Sequence, residues 1–417
     1  MATTASTGIA ACNIGGITLH SFAGIGLGVG EAPELAQRIK GNISCKRRWL
    51  RTKVLIIDEI SMIDGALFDK LEAIARTLRL NARPFGGIQL IVTGDFFQLP
   101  PIRGSSFAFE SIAWGTCIEH TIELREVFRQ KDPDLALMLN ELRAGQPSPE
   151  TIAAFNGLNR ELSFDGDIEV TELFSTRNEV ERANNSRLGL LPGAARQFKS
   201  SDRFDTTLSP QVRSTILNGC MAPPLLELKI GSQVMLIKNM TEHLVNGTLG
   251  RVTGFMDETF ELPNHNQGGP SKATEPKKAE NHEWPLVQFT LMDGSTQQLL
   301  CLPEEWAMEL PNRQIQAARI QVPLILAWAL SIHKSQGQTL DRVKVQLGKV
   351  FEGAQAYVAL SRATSKEGLQ VIGFNPSKIQ VHPKVRLFYK SLQSSAEVAG
   401  DSKHSKANAK VTTKGLK

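Results

Sequence analysis

The chain has 417 residues, of which 41% are hydrophobic and 21% charged, with a net charge of +5. That apolar content excludes a disordered chain and supplies two or more cores, since domains usually run to roughly 100–200 residues, while the charge is too small to diagnose a nucleic-acid partner. Cys12, Cys45, Cys117, Cys220 and Cys301 form no CxxC pair, which argues against structural zinc or a disulfide framework, and the longest apolar stretch, Val322 to Ile332, is broken by Pro323 and far shorter than the roughly 20 residues of a membrane span.

The amino-terminal MATTASTGIAAC has no basic region ahead of an apolar one, so no secretory signal is expected. Val54 to Ile57 and Ile88 to Thr93 are short, β-branched-rich runs that predict strands. Between them Leu67, Leu71, Ile74, Ala75 and Leu78 recur at helical spacing. Strand, helix, strand implies a parallel sheet with its functional groups at the carboxyl ends of the strands, where Asp58, Glu59, Gly94 and Asp95 stand. From about Leu124 a helical pattern runs through Leu142, stopped by Gly145 and Pro147, and 168–175 reads as another strand.

Around Lys229 to Phe255 and Leu286 to Leu302 the pattern changes to short strands with Gly turns, a small all-β insert; Met256 to Pro285 between them reads as a flexible loop. Strand-helix alternation resumes after Pro323: apolar Leu324 to Leu330, a polar segment Ser331 to Asp341, strand Val343 to Leu347, a helix from Glu352 and strand Leu369 to Phe374, which make a second α/β lobe. The lysine-rich tail after Ser394 has no apolar periodicity and reads as disordered.

Asp58 and Glu59 close an apolar run as a nucleotide-hydrolysing pair does: one carboxylate holds magnesium against phosphates while its neighbour orients or deprotonates the attacking water. The alternative is a strand-end cap. In the loop Gly94-Asp95-Phe96-Phe97-Gln98-Leu99-Pro100-Pro101, Gln98 has the donor and acceptor needed to bridge a terminal phosphate and a water, and Asp95 can join the magnesium shell; a proline-stiffened loop is the bland reading. Arg129 and Arg362 are arginine-finger candidates, with plain surface arginines as the alternative. Ser331 to Thr339 packs polar donors after a buried run and suits a DNA phosphate through Lys334, Ser335 and backbone N–H groups.

One motif is missing. A loop GxxxxGK[ST] cradles phosphates on its N–H groups and Lys, and none occurs: the only Gly-Lys pair, Gly348-Lys349, is followed by Val350. The chain therefore reads as an ATP-driven motor without its first motif, with an amino-terminally incomplete first sheet in which a gap and exposed apolar faces are expected.

In order, Thr4-Ala5-Ser6-Thr7-Gly8-Ile9-Ala10-Ala11, Leu19-His20-Ser21-Phe22-Ala23-Gly24, the Asp-Glu strand, Gly-Asp-Phe-Phe-Gln-Leu-Pro, Val127-Phe128-Arg129-Gln130, His333-Lys334-Ser335-Gln336-Gly337 and Tyr357-Val358-Ala359-Leu360-Ser361-Arg362-Ala363 resemble motifs Ia to VI of the petite-integration-frequency (Pif) DNA helicases of superfamily one, with Asp64 to Glu72 similar to that family's own signature. The resemblance covers nearly everything up to Tyr389. It implies an α/β fold of two RecA-like lobes (1–125, then 126–220 with 319–393), an SH3-like insert at 221–318, a tail at 394–417, and ATP- and Mg2+-dependent 5′-to-3′ unwinding of DNA.

By the same resemblance Asp58 holds magnesium, Glu59 is the base, Gln98 senses the γ-phosphate, Arg129 and Arg362 are fingers, and Asp95, Gly337 and Gln338 lie at the nucleotide. His20, Ser21, Phe22, His333, Lys334, Ser335, Gln355 and Tyr357 are expected along single-stranded or structured DNA. The resemblance further implies a monomer of the nucleus and mitochondrion with no membrane partner, acting in repair, recombination and telomere upkeep. A non-catalytic, single-stranded-DNA-binding pseudo-helicase is the alternative.

Overall fold

The computed structural model describes residues 1–26, 28–101, 106–124, 126–162, 168–204, 217, 220–241, 243–257, 283–291, 294–309, 315–348 and 353–394. Most of the expected flexible loop 256–285, and the tail but for Ser394, lie outside the described residues.

The first lobe is a four-stranded parallel sheet in the order β2 (Ile17–Thr18), β1 (Ala2–Ala5), β3 (Val54–Asp58), β4 (Gln89–Val92). Alternation along β3 sends Leu55 and Ile57 into the core. The helix Gly65–Arg79 covers them, its N-terminus capped by the Asp64 carboxylate on the Ala66 N–H; Leu71, Ile74, Ala75 and Leu78 are buried as the sequence predicts, while Phe68 takes the fully buried place expected of Leu67, which is only half-buried. The expected gap in this sheet is not there. β1 joins β3 in full register, Ala2 to Leu55 through Ala5 to Asp58, and the sheet's edges are β2 and β4, with Gln89 and Ile91 of β4 exposed.

Two further differences concern the boundaries. The helix expected from Leu124 begins at Pro133, because Asp132 caps it on the N–H groups of Asp134 and Leu135 and proline suits the first helical position; Arg129 therefore sits on irregular chain. Strand β5 (Ile122–Glu123) precedes it and pairs with the last strand, β20 (Gln393–Ser394). The helix Pro383–Lys390, expected in the second lobe, packs its Val385, Phe388 and Tyr389 into the first lobe's core.

The second lobe has the parallel order β17 (Ala329–Ser331), β6 (Thr171–Phe174), β18 (Val343–Gln346), β19 (Leu369–Ile372). Its core includes Leu135, Leu139, Leu142, Leu173, Val343, Val345 and Val358, and Leu99 reaches into it from the first lobe's loop. The insert is antiparallel: β10 (Gln233–Leu236), β11 (Leu249–Met256), β12 (Trp284–Thr290), β13 (Thr296–Leu300) and β16 (Leu324–Leu326) form one sheet. It begins earlier than residue 221. β7 (Arg196–Lys199) pairs with β9 (Leu225–Leu228), and β8 (Ser201–Phe204) with β15 (Ile315–Gln321), itself paired with β14 (Glu304–Glu309).

Candidate active site

Asp58 ends β3 at the sheet's carboxyl edge, and hydrogen bonds fix its carboxylate: Oδ1 accepts from the Glu59 N–H at 2.9 Å and from the Thr93 hydroxyl. Oδ2 has no partner among the described residues. Glu59 has a left-handed backbone, φ 53° and ψ 46°, a conformation that costs a non-glycine residue about 1 kcal/mol or more and turns its side chain out of the strand's alternation. The β4 loop allows this by approaching closely. Gly94 has φ 150°, and a Cβ there would stand 2.9 Å from the Ile60 nitrogen.

The Glu59 carboxylate reaches across the interlobe cleft. Its Oε2 accepts from the Gln336 amide at 2.9 Å, a contact between residues 277 apart in sequence. Burial first, then the adjacent Asp58, raises its pKa above the ordinary glutamate value; the Gln336 bond and Arg362 pull the other way. Arg129 and Arg362 join the same cluster. Gln130 anchors the segment by donating to the Ser361 and Ala363 carbonyls at 3.1 and 3.0 Å, which brings Arg129 close enough that the two guanidinium groups repel. Burial, then that repulsion, lowers the Arg362 pKa; burial also lowers that of Arg129.

Arg362 is 1% exposed and its donors go to the Val358 carbonyl at 2.8 Å, the Gln338 carbonyl at 3.3 Å and the Ser361 hydroxyl at 2.8 Å. It is thus aimed inward, at the backbone of its own lobe. Tyr357, expected on the DNA path, belongs to this cleft instead: burial and the charge of Asp95 push its pKa up to about 12, and Arg143, Arg362 and Arg129 oppose them.

Asp95 is not poised for a metal. Both oxygens meet Arg143 of the second lobe, Oδ2 to Nε and Oδ1 to Nη2, each at 3.1 Å, and Oδ1 also accepts from the Tyr389 hydroxyl at 3.0 Å. Arg143 lies over the rings of Phe97 at 4.4 Å and Tyr389 at 4.9 Å. Burial works against its charge, but Asp95 prevails and holds its pKa above the usual guanidinium value. Gln98 is half-buried in the turn closed by its own N–H on the Asp95 carbonyl at 2.9 Å. Arg143 and Tyr389 were missed because neither lies in a polar run, and Gln336, although inside the polar segment Ser331 to Thr339, was given no role; only their partners, distant in sequence, mark them.

The residues expected along DNA divide. His333 and Lys334 are exposed on the helix Ile332–Ser335, which the Ser331 hydroxyl caps on the Lys334 N–H. Desolvation and the neighbouring Arg177 lower the Lys334 pKa. Ser21 is exposed and His20 half-buried, its pKa lowered by desolvation. Phe22 is not on that surface: it is 0% exposed, packed on Trp49 at 5.2 Å, because the helix Leu19–Ala23 turns its apolar face inward. Ser335 is likewise 0% exposed, its hydroxyl spent on the Ile332 carbonyl at 2.9 Å, and Gln355 is 0% exposed within the second lobe. Gly337 leads from this helix to Gln338, whose buried side chain faces the insert, away from Asp58.

Residues 1–143 match the model of the family described as PIF1-like helicase, and 212–255 match that of the DNA helicase Pif1 2B domain. The chain is 56% identical to the ATP-dependent DNA helicase PIF1 of Emericella nidulans over 94% of its own length and 56% of that protein's, so it spans about half of that relative. Among solved structures it resembles the Pif1 helicase of Candida albicans, at 50% identity and TM-score 0.77, with 93% of this chain and 87% of that one covered. It also resembles a Bacteroides Pif1 bound to ssDNA, at 26% identity and TM-score 0.64, covering 94% and 87%.

Proposed function

The chain belongs to the PIF1-like helicase family, and on that premise we propose that it forms the DNA-gripping and water-activating part of an ATP-dependent, 5′-to-3′ DNA helicase. One observation carries the reading. The carboxylate proposed to activate water, Glu59, is hydrogen-bonded to Gln336, the next residue after the exposed His333–Lys334 helix. Nucleotide chemistry and strand contact therefore meet within one turn of chain.

The donor set suits a magnesium nucleotide: a hard oxygen of Asp58 and two crowded guanidinium groups, none with an ionic or hydrogen-bonded partner of opposite charge among the described residues, and the Thr93 hydroxyl beside Asp58. Magnesium, when bound, neutralises phosphate charge. Glu59, ionised, accepts a proton from a water at the cleft, and its raised pKa makes it a stronger base than a free carboxylate. Arg129 can turn toward a transferring phosphoryl group. Arg362, fixed to three acceptors, does so only by exchanging those bonds, which makes it a group whose position reports lobe closure. The phosphate-cradling loop is absent from these 417 residues, so hydrolysis is proposed for a protein in which that loop is present.

Single-stranded and structured DNA are the proposed partners, the chain acting as a monomer of the nucleus or mitochondrion. Lys334→Ala should weaken single-stranded DNA binding and reduce the slope of log affinity against log salt by about 0.7, the share of one phosphate contact on a single strand. An unchanged slope places Lys334 off the DNA. Tight binding by this chain with no hydrolysis even when a phosphate loop is restored would favour the non-catalytic alternative.

A further inference from the structure

A cavity of about 1070 Å³ lies between the second lobe and the insert, away from the acidic cluster at Asp58. Its wall is unusual in one respect. Asn246 and Gln338 are 7% and 5% exposed, and both atoms of each side-chain amide lack a hydrogen-bond partner among the described residues. A buried amide left unmade costs roughly 1–3 kcal/mol per group, so four such atoms on one cavity mark a place where a hydrogen-bonding guest belongs.

The amides are held ready. The Asn246 N–H is tied to the Asn239 side chain at 2.8 Å, and the Gly247 N–H to the Leu236 carbonyl at 2.9 Å. Gln338 spends its own backbone on the Ser335 carbonyl at 3.0 Å and on Arg362 at 3.3 Å, leaving only its side chain uncommitted. Gly247 has φ 100° and carries no side chain over the Gln338 amide, from which a Cβ would be 3.3 Å away.

The lining charges oppose one another, with Arg251 and Arg342 against Glu169 and Asp341. Arg251 is engaged by Glu169 at 3.7 Å. The carboxylates of Glu169 and Asp341 would repel a phosphate here, whereas a neutral heterocycle carries no charge for them to repel. Each primary amide offers a donor beside an acceptor, the pattern that pairs with an amino group next to a ring nitrogen. Adenine presents that pattern on two edges, N6 with N7 and N6 with N1, and cytosine and guanine on one each, N4 with N3 and N2 with N3. Two amides match adenine in number.

We propose that Asn246 and Gln338 form an adenine-recognition pocket between the second lobe and the insert, which takes an unstacked base from a bound single strand. As to the strand, the proposal rests on the DNA-binding reading above, since Gln338 follows the exposed His333–Lys334 pair by only a few residues. The same chemistry would accept free adenosine, and the test separates the two sources.

The test uses the full chain at fixed salt. Fluorescence anisotropy is measured with oligothymidylates carrying one adenine, or one abasic site, at each successive position. One register should bind the adenine strand about tenfold more tightly than the abasic strand, the scale of one bidentate base contact. Asn246→Leu and Gln338→Leu should reduce that ratio below about twofold, and Asn246→Leu should leave plain oligothymidylate affinity unchanged, which also shows the variant is folded. In a second arm, adenosine is titrated calorimetrically into the chain and both variants. Adenosine binding lost in both variants, without any strand preference, supports the pocket with free adenosine as its guest. No preference for adenine at any register and no variant-sensitive adenosine binding overturns the pocket. If no oligonucleotide binds while adenosine does, the DNA-binding reading fails and the pocket stands.

Discussion

The interlobe cleft contains two acid–arginine clusters built from the same kinds of residue, and they differ in whether their charges are satisfied. At Asp95 a carboxylate meets Arg143 through two bonds, takes a third from Tyr389, and is roofed by aromatic rings. At Glu59 the carboxylate is crowded by Asp58, while Arg129 and Arg362 repel one another with no acid among the described residues bonded to either. The first cluster is complete as it stands and holds the lobes together. The second is held in a state that only an added anion and cation would relieve, and so chemistry belongs there.

The most damaging way to break this contrast is Arg143→Met. It keeps the side chain's bulk but leaves Asp95 with an uncompensated charge, and should cost roughly 2–4 kcal/mol in denaturant unfolding, a range reduced from that of a fully buried pair because both partners retain some exposure. A loss below 0.5 kcal/mol, on the order of a surface pair, would remove the distinction between the clusters.

Glu59→Gln should act in the opposite direction, raising stability at pH 8, since it deletes a carboxylate that burial and Asp58 disfavour. The sign with pH follows from the raised pKa. Relative to Gln, wild-type Glu59 is best tolerated below its unfolded value of 4.5 and loses that stability as pH rises through its higher folded value. The gap between variant and wild type should therefore close on acidification; a gap that widens would contradict the raised pKa. In protein with a phosphate loop the same variant should abolish turnover and retain nucleotide.

The smallest effect sharpens the comparison. Gln336→Leu removes a hydrogen bond that favours ionised Glu59, so the carboxyl pKa should climb further, read by carbon-13 titration of Glu59. An unmoved titration would mean that the bond across the lobes does not persist in solution.

Much of the fold was legible because burial imposes periodicity: β3, the helix Gly65–Arg79 and the strands β6, β18 and β19 follow from runs of apolar residues, whereas the run Leu324 to Leu330, expected in the second lobe, is split between the insert as β16 and the second lobe as β17. The family resemblance, carried by motifs at strand ends, is borne out by the relatives and the solved structures. Residues within those motifs were harder to place. Phe22 and Ser335 adjoin polar residues, yet both are buried because on a short helix adjacent positions face different ways, and Gln355, the polar residue of the helix Gly353–Leu360, is buried with its apolar neighbours.

The sequence by itself determined the two α/β lobes, the β-rich insert and the acids at the tip of β3, since each is written in local spacing. Which acid stays unsatisfied was decided only by the tertiary structure. Arg143 comes to Asp95 from 48 residues away and Gln336 to Glu59 from 277, and hydrogen bonds act over about 3 Å of space, whatever the separation along the chain.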